Sequence, residues 1–149
     1  HPGDIAAWYT MADICLSVSD FQGAAYCYEE VLLGCPLDSN IHVKLGEAYC
    51  TAGGMSNVKL ARKHLAQAIQ LDPNNLRAWY GLIAAAEGYL EEVDKIPSKN
   101  SSKKEAEEEG VIVAKELIKF GGEKLIQVYK GTKMMKIVES MLSESSELL

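Results

Sequence analysis

The sequence predicts an all-α solenoid: helix hairpins stacked side by side and closed by a C-terminal capping helix. Three observations carry this expectation. Bulky residues recur at Trp8, His42 and Trp79, spaced by 34 and then 37 residues. Pro36 and Pro73 repeat at the same interval of 37. Between these marks the apolar residues follow helical spacing, with small residues interleaved (Ala12, Ala24, Gly46, Ala61, Ala68).

Each mark has a physical reason. Small residues let two paired helices approach closely, and Trp8, Tyr28, Tyr49, Leu65 and Trp79 fill the space beside them. A proline cannot continue the helical hydrogen-bond ladder, so Pro36 and Pro73 end the second helix of a hairpin. The tetratricopeptide repeat has a 34-residue period with this distribution of Trp, Leu-Gly, Tyr, Ala and Pro, and the chain resembles it in two and a half units in register. The three extra residues of the second unit fall in Gly53-Gly54-Met55-Ser56-Asn57, a turn where an insertion disturbs no packing.

Taken in order, the first unit covers about residues 5–38, with Asp4 capping a helix to about residue 18 and Ser19-Asp20 leading into a second that ends near Gly34. The second unit, about 39–75, holds helices from Ser39 to Thr51 and from Ser56 to Leu71, and Asp72-Pro73-Asn74-Asn75 supplies the turn that follows. The third unit, about 76–130, is divergent. Its first helix runs from Asn75 to about Glu92, and residues 94–102 form an exposed loop. Ser102-Lys103-Lys104-Glu105 has the spacing of a capping box, and Glu105, Glu107, Glu108 and Glu109 suit the positive end of a helix starting there. The stripe Val111, Ala114, Leu117, Ile118, Gly121, Leu125, Val128 favours one helix to about Lys130, kinked at Gly121-Gly122, with two shorter helices as the alternative. After Gly131-Thr132 comes a terminal helix, about 132–145, bearing Met134, Ile137, Val138, Met141 and Leu142 on one face. That face either caps the last unit or accepts a partner helix. The opening His1-Pro2-Gly3-Asp4, without initiator Met or cap, leads us to expect an upstream portion.

Composition narrows the function. The 149 residues suit one domain with a sizeable core, and an ordinary apolar share of 48% with a net charge of -6 is not that of a disordered chain. Acids outnumber bases 21 to 15, the reverse of a nucleic-acid-binding face. No stretch approaches the roughly 20 apolar residues a spanning helix needs, and no signal peptide is visible. Cys15, Cys27, Cys35 and Cys50 contain no Cys-x-x-Cys pair, so they read as reduced thiols acting as small hydrophobes, in a reducing compartment.

Catalytic motifs are missing from the sequence. Gly53-Gly54 is not followed by the Lys-Ser/Thr of a phosphate loop, and neither Gly-x-Ser-x-Gly nor His-Glu-x-x-His occurs. His1, His42 and His64 lack acid or cysteine partners at metal-ligand spacing, and His42 stands where the repeat usually has Trp, which makes it a packing residue. Asp72-Pro73-Asn74-Asn75 begins like a calcium loop, but Arg77 replaces the required glycine. Asn100-Ser101-Ser102 is a glycosylation sequon only for a secreted chain, and Lys99, Lys103 and Lys104 read as a solvated loop. The expectation is a non-enzyme without cofactor or metal.

Binding remains. Tetratricopeptide arrays use the first helix of each hairpin to line a concave groove, where the sequence places Tyr9, Asp13, Asn40, Glu47, Arg77, Tyr80 and Glu87. Tyr and Arg are favoured interface anchors, although a merely solvated inner face is the alternative. The carboxylate-gripping cluster of co-chaperones would fall on Tyr9, Asp13, Lys44, Arg77 and Gly81, where Asp13 repels an incoming carboxylate.

More specifically, the chain resembles subunit 2 of the endoplasmic-reticulum membrane protein complex. The resemblance lies in Asp4-Ile5-Ala6-Ala7-Trp8, Ala24-Ala25-Tyr26-Cys27-Tyr28-Glu29-Glu30 and Tyr49-Cys50-Thr51-Ala52-Gly53-Gly54-Met55. It continues in Ala61-Arg62-Lys63-His64-Leu65-Ala66-Gln67-Ala68, Asn75-Leu76-Arg77-Ala78 and Val138-Glu139-Ser140-Met141-Leu142. It corresponds to the family's C-terminal half to two-thirds and departs from it between Glu91 and Gly131. The resemblance implies a non-catalytic scaffold on the cytosolic face of the endoplasmic reticulum. Its complex inserts tail-anchored and multi-pass membrane proteins, and its partners are cytosolic tails of membrane subunits and a soluble subunit. A soluble adaptor that binds short peptides transiently is the alternative.

Overall fold

The computed structural model describes residues 3–146, and every regular element among them is a helix. The first hairpin is α1 (Ile5–Ser17) and α2 (Phe21–Gly34); the second is α3 (Ser39–Ala52) and α4 (Met55–Leu71). The third begins with α5 (Leu76–Asp94) and, after the short α6 (Ser101–Ala106), returns as α7 (Glu108–Tyr129); α8 (Met135–Ser146) is the last described helix. Each helix packs on its chain neighbour through α5, α7 follows α5, and α3 also touches α5, so the hairpins nest as tetratricopeptide units do.

Short polar side chains set the starts. Asp4 accepts a hydrogen bond from the Ala7 amide at 2.9 Å, Asp20 from that of Gly23 at 2.8 Å, and Asn75 from that of Ala78 at 3.3 Å. Between α3 and α4 the backbone passes through two positive φ values, 74° at Gly53 and 89° at Gly54. Side chains avoid that region, which is why the enlarged turn is built from glycines.

Leu65 explains the small residues. It is completely buried, and a Cβ on Gly46 of α3 would come 2.5 Å from its Cγ, while one on Gly81 of α5 would come 2.6 Å from its Cδ2. One leucine of α4 is thus seated on two glycines of neighbouring first helices. The bulky positions are also more than filler. Trp79 donates its Nε1 hydrogen to the Pro73 carbonyl at 2.9 Å, and His42 Nε2 makes the equivalent bond to the Pro36 carbonyl at 3.0 Å. A carbonyl only accepts, so His42 carries its proton on Nε2 and substitutes for Trp as a donor aimed back at the helix-ending proline. Trp8 Nε1 is buried without a partner among the described residues; Pro2, six positions before it, lies outside them.

The third unit corrects one expectation. The proposed capping box at Ser102–Glu105 does not form: α6 starts at Ser101 after Asn100, with no side-chain cap bond. The chain breaks at Glu107, and Glu108 and Glu109 occupy the first turn of α7, whereas Glu105 lies in the last turn of α6. The break follows from tertiary bonds, since the Glu107 carboxylate accepts from Lys59 Nζ at 2.9 Å and from the Tyr89 hydroxyl. Beyond it α7 is one helix through Gly121 and Gly122, which lie against Ile83 and Leu142.

Candidate concave cleft

First helices α3 and α5 touch, but a cleft of about 330 Å³ opens between α1 and α3. Its apolar wall is Leu16, Phe21 and Ala48, Tyr28 of α2 lines it from below, and Asp13, Lys44, Glu47, Thr51 and Arg77 complete it. Helical spacing explains the set: Lys44, Glu47, Ala48 and Thr51 follow the i, i+3, i+4, i+7 pattern and share one face of α3.

Two of the four charges form an ion pair. Arg77 holds Glu47 in a two-pronged bond, Nε to Oε1 at 2.6 Å and the second nitrogen to Oε2 at 2.7 Å, and this partner keeps the guanidinium more firmly protonated than usual. Lys44 Nζ lies 4.9 Å from the centre of the Tyr9 ring, a cation–π contact, and Tyr9 meets Tyr28 edge-on at 6.3 Å. Asp13 is exposed and has no ion pair among the described residues. Burial raises the Tyr28 hydroxyl pKa, reinforced by Asp13, Tyr9 and Glu47 and opposed by Arg77.

The seven concave residues read from the sequence do not form one surface. Asp13, Glu47 and Arg77 line the cleft, with Tyr9 adjoining it through Tyr28 and Lys44. Asn40 instead accepts a hydrogen bond from Asn75 at 3.1 Å, tying the start of α3 to that of α5. Tyr80 and Glu87 sit elsewhere, in a cavity of about 160 Å³ whose far wall is Val138, Met141 and Leu142 of α8. There the terminal helix covers the groove, and Glu87 Oε1 is buried without a partner among the described residues. The sequence assigned Leu16, Phe21, Tyr28 and Thr51 no binding role; Tyr28 in particular reads as filler, and only the gap between α1 and α3 gives its hydroxyl an outlet.

The terminal stripe divides as well. Val138 is buried at 2% exposure and Leu142 lies against Gly122, as a cap requires. Met134 precedes α8 and, with Ile137 and Met141, is about half exposed, so the five residues do not share one face.

A second polar cluster joins the first two units away from the cleft. His42 Nδ1 accepts from His64 Nδ1 at 3.2 Å, His64 stacks on Tyr49, and the Tyr49 hydroxyl donates to Glu29. Burial, then His42 and Lys63, lower the His64 pKa against an opposing pull from Glu29. No group of three metal-ligating residues occurs among the described residues, and the four cysteines are free thiols. No described helix is long and apolar enough to cross a membrane.

No family model matches the chain. Among curated proteins it is 36% identical over 80 residues to ER membrane protein complex subunit 2 of Xenopus tropicalis and likewise to subunit 2-A of Xenopus laevis, covering 54% of this chain and 27% of each relative. It is 29% identical over 90 residues to TPR repeat protein oca3 of Schizosaccharomyces pombe, covering 59% of this chain and 32% of that protein. The aligned region thus spans about a quarter of the length of the ER membrane protein complex relatives. The chain is a tetratricopeptide-type solenoid similar, over about half its length, to subunit 2 of the ER membrane protein complex.

Proposed function

We propose that this chain is a non-catalytic scaffold, the tetratricopeptide portion of a subunit of an ER membrane protein complex, and that it engages partner subunits through the cleft between α1 and α3. The observation that carries the reading is the 36% identity to proteins named as subunit 2 of that complex. A stack of helix hairpins with an open inner cleft suits the role, because it offers groove surface to a partner. On this reading the protein sits on the cytosolic face of the endoplasmic reticulum, held by cytosolic tails and a soluble subunit. It contributes architecture to the insertion of tail-anchored and multi-pass membrane proteins. The alternative, a soluble adaptor that binds short peptides transiently, is weakened in its carboxylate-gripping form, since Arg77 is committed to Glu47 and Asp13 lines the same cleft.

The test is affinity purification of the full-length protein from detergent-solubilised membranes, beside a variant carrying Asp13→Lys and Thr51→Trp. Both residues are exposed, so helicity should be retained. The expected result is recovery of a discrete set of membrane subunits with the natural protein and its loss with the variant. A protein found wholly in the soluble fraction without membrane partners would refute the reading.

A further inference from the structure

We propose that the cleft between α1 and α3 receives one basic side chain, Arg or Lys, projecting from an extended partner segment. Its head lies against Asp13 and the Tyr28 hydroxyl, and its aliphatic stem against Leu16, Phe21 and Ala48. The inference rests on the groove reading above and specifies what the groove selects.

Tyr28 supplies the first reason. Its side chain is only 4% exposed, it lines the cleft, and its hydroxyl makes no hydrogen bond to any described residue. A buried tyrosine hydroxyl ordinarily finds a partner inside the protein. The Tyr28 hydroxyl instead opens onto the cleft, where solvent or a polar group entering there is its partner.

The charges say what that something is. Of the four charged side chains lining the cleft, Arg77 and Glu47 pair with each other, Lys44 rests on the face of the Tyr9 ring, and Asp13 has no ion pair among the described residues. Asp13, and not Lys44, is the charge without an ion pair that acts on the Tyr28 hydroxyl, so beside that hydroxyl an entering basic group meets a carboxylate. The raised Tyr28 pKa agrees with this sign, because Asp13 and Glu47 outweigh Arg77 around its hydroxyl. The apolar wall fits the methylene stem of Lys or Arg, which prefers to lie on apolar surface while its head stays polar. The chain's net charge of -6 favours approach of such a segment.

The probe is a series of capped pentapeptides, Ala-Ala-X-Ala-Ala, with X as Arg, norleucine or Glu. Each is titrated at low salt into the isotopically labelled full chain and followed by amide NMR. The Arg peptide should shift the amides of Tyr28, Ala48 and Thr51 and bind about tenfold more tightly than the norleucine peptide, as one charge-assisted contact implies. Asp13→Asn should abolish that margin; Glu139→Gln, on α8, should leave it intact and so separates the site from general attraction to an acidic protein. Equal binding of the Glu or norleucine peptide, an Arg margin that survives Asp13→Asn, or no shift at the cleft amides would each overturn the proposal. In those cases loss of membrane partners by the Asp13→Lys, Thr51→Trp protein would still support the scaffold reading. Retention of those partners would remove the groove reading and this inference together.

Discussion

Leu65 concentrates the packing of two units in a single side chain. Because Gly46 and Gly81 both lie under it, truncation leaves a cavity that two backbones must close on. Leu65→Ala should therefore cost about 3–5 kcal/mol, read as a lower urea midpoint at unchanged m-value. His64 gives the residue scale a pH dependence. Its folded pKa lies below the ordinary value near 6.5, so on acidification the unfolded chain takes up a proton before the folded one. Stability is complete above pH 6.5, declines as pH falls towards the folded pKa, and is flat below it. Urea melts between pH 5 and 8 should show this slope, and His64→Gln should remove it. The residue types were legible in the sequence, including His42 as a Trp substitute; its bond to Pro36 and its pairing with His64 were not. Those depend on which faces of α3 and α4 meet, and on a carbonyl left free by a helix end.

At the scale of elements, the hairpins declared themselves through period, caps and prolines, whereas the α6–α7 break did not. Neither Gly nor Pro stands at Ala106-Glu107-Glu108, and a local capping pattern pointed to Ser102 instead. The winning interactions are distant: Lys59 from α4 and Tyr89 from α5 fix the Glu107 carboxylate, and with the Tyr89 hydroxyl as first cause they hold its pKa below the usual glutamate range. Glu107→Ala should leave the Tyr89 hydroxyl short of its carboxylate partner and cost about 1–3 kcal/mol. Hydrogen exchange should rise in α6 and the first turns of α7 but not in α1–α3; uniform exchange would disprove the local hinge. The terminal helix is likewise a packed element. Deleting residues 131–149 uncovers the seat of Val138 and Leu142, which should cost at least about 2 kcal/mol and lower the Tm by ~4–8 °C.

Across the whole molecule, the solenoid has an inner face open in its first half and covered in its second. Sequence register reads the inner face as that of the first helices, yet it could not show that α8 would occupy the third unit and isolate Tyr80 and Glu87 from Asp13, Glu47 and Arg77. Register assigns faces; it does not say which stretches of a face are covered by the chain itself. The open half is where a scaffold would hold its partner. Site-specific photo-crosslinking in solubilised membranes tests that directly, with a benzoylphenylalanine at Thr51 in the cleft and, separately, at exposed Lys63 on α4. Crosslinks from Thr51 to a defined partner subunit, with weak or absent ones from Lys63, are the predicted result. Strong crosslinks from Lys63 with none from Thr51 would contradict the account.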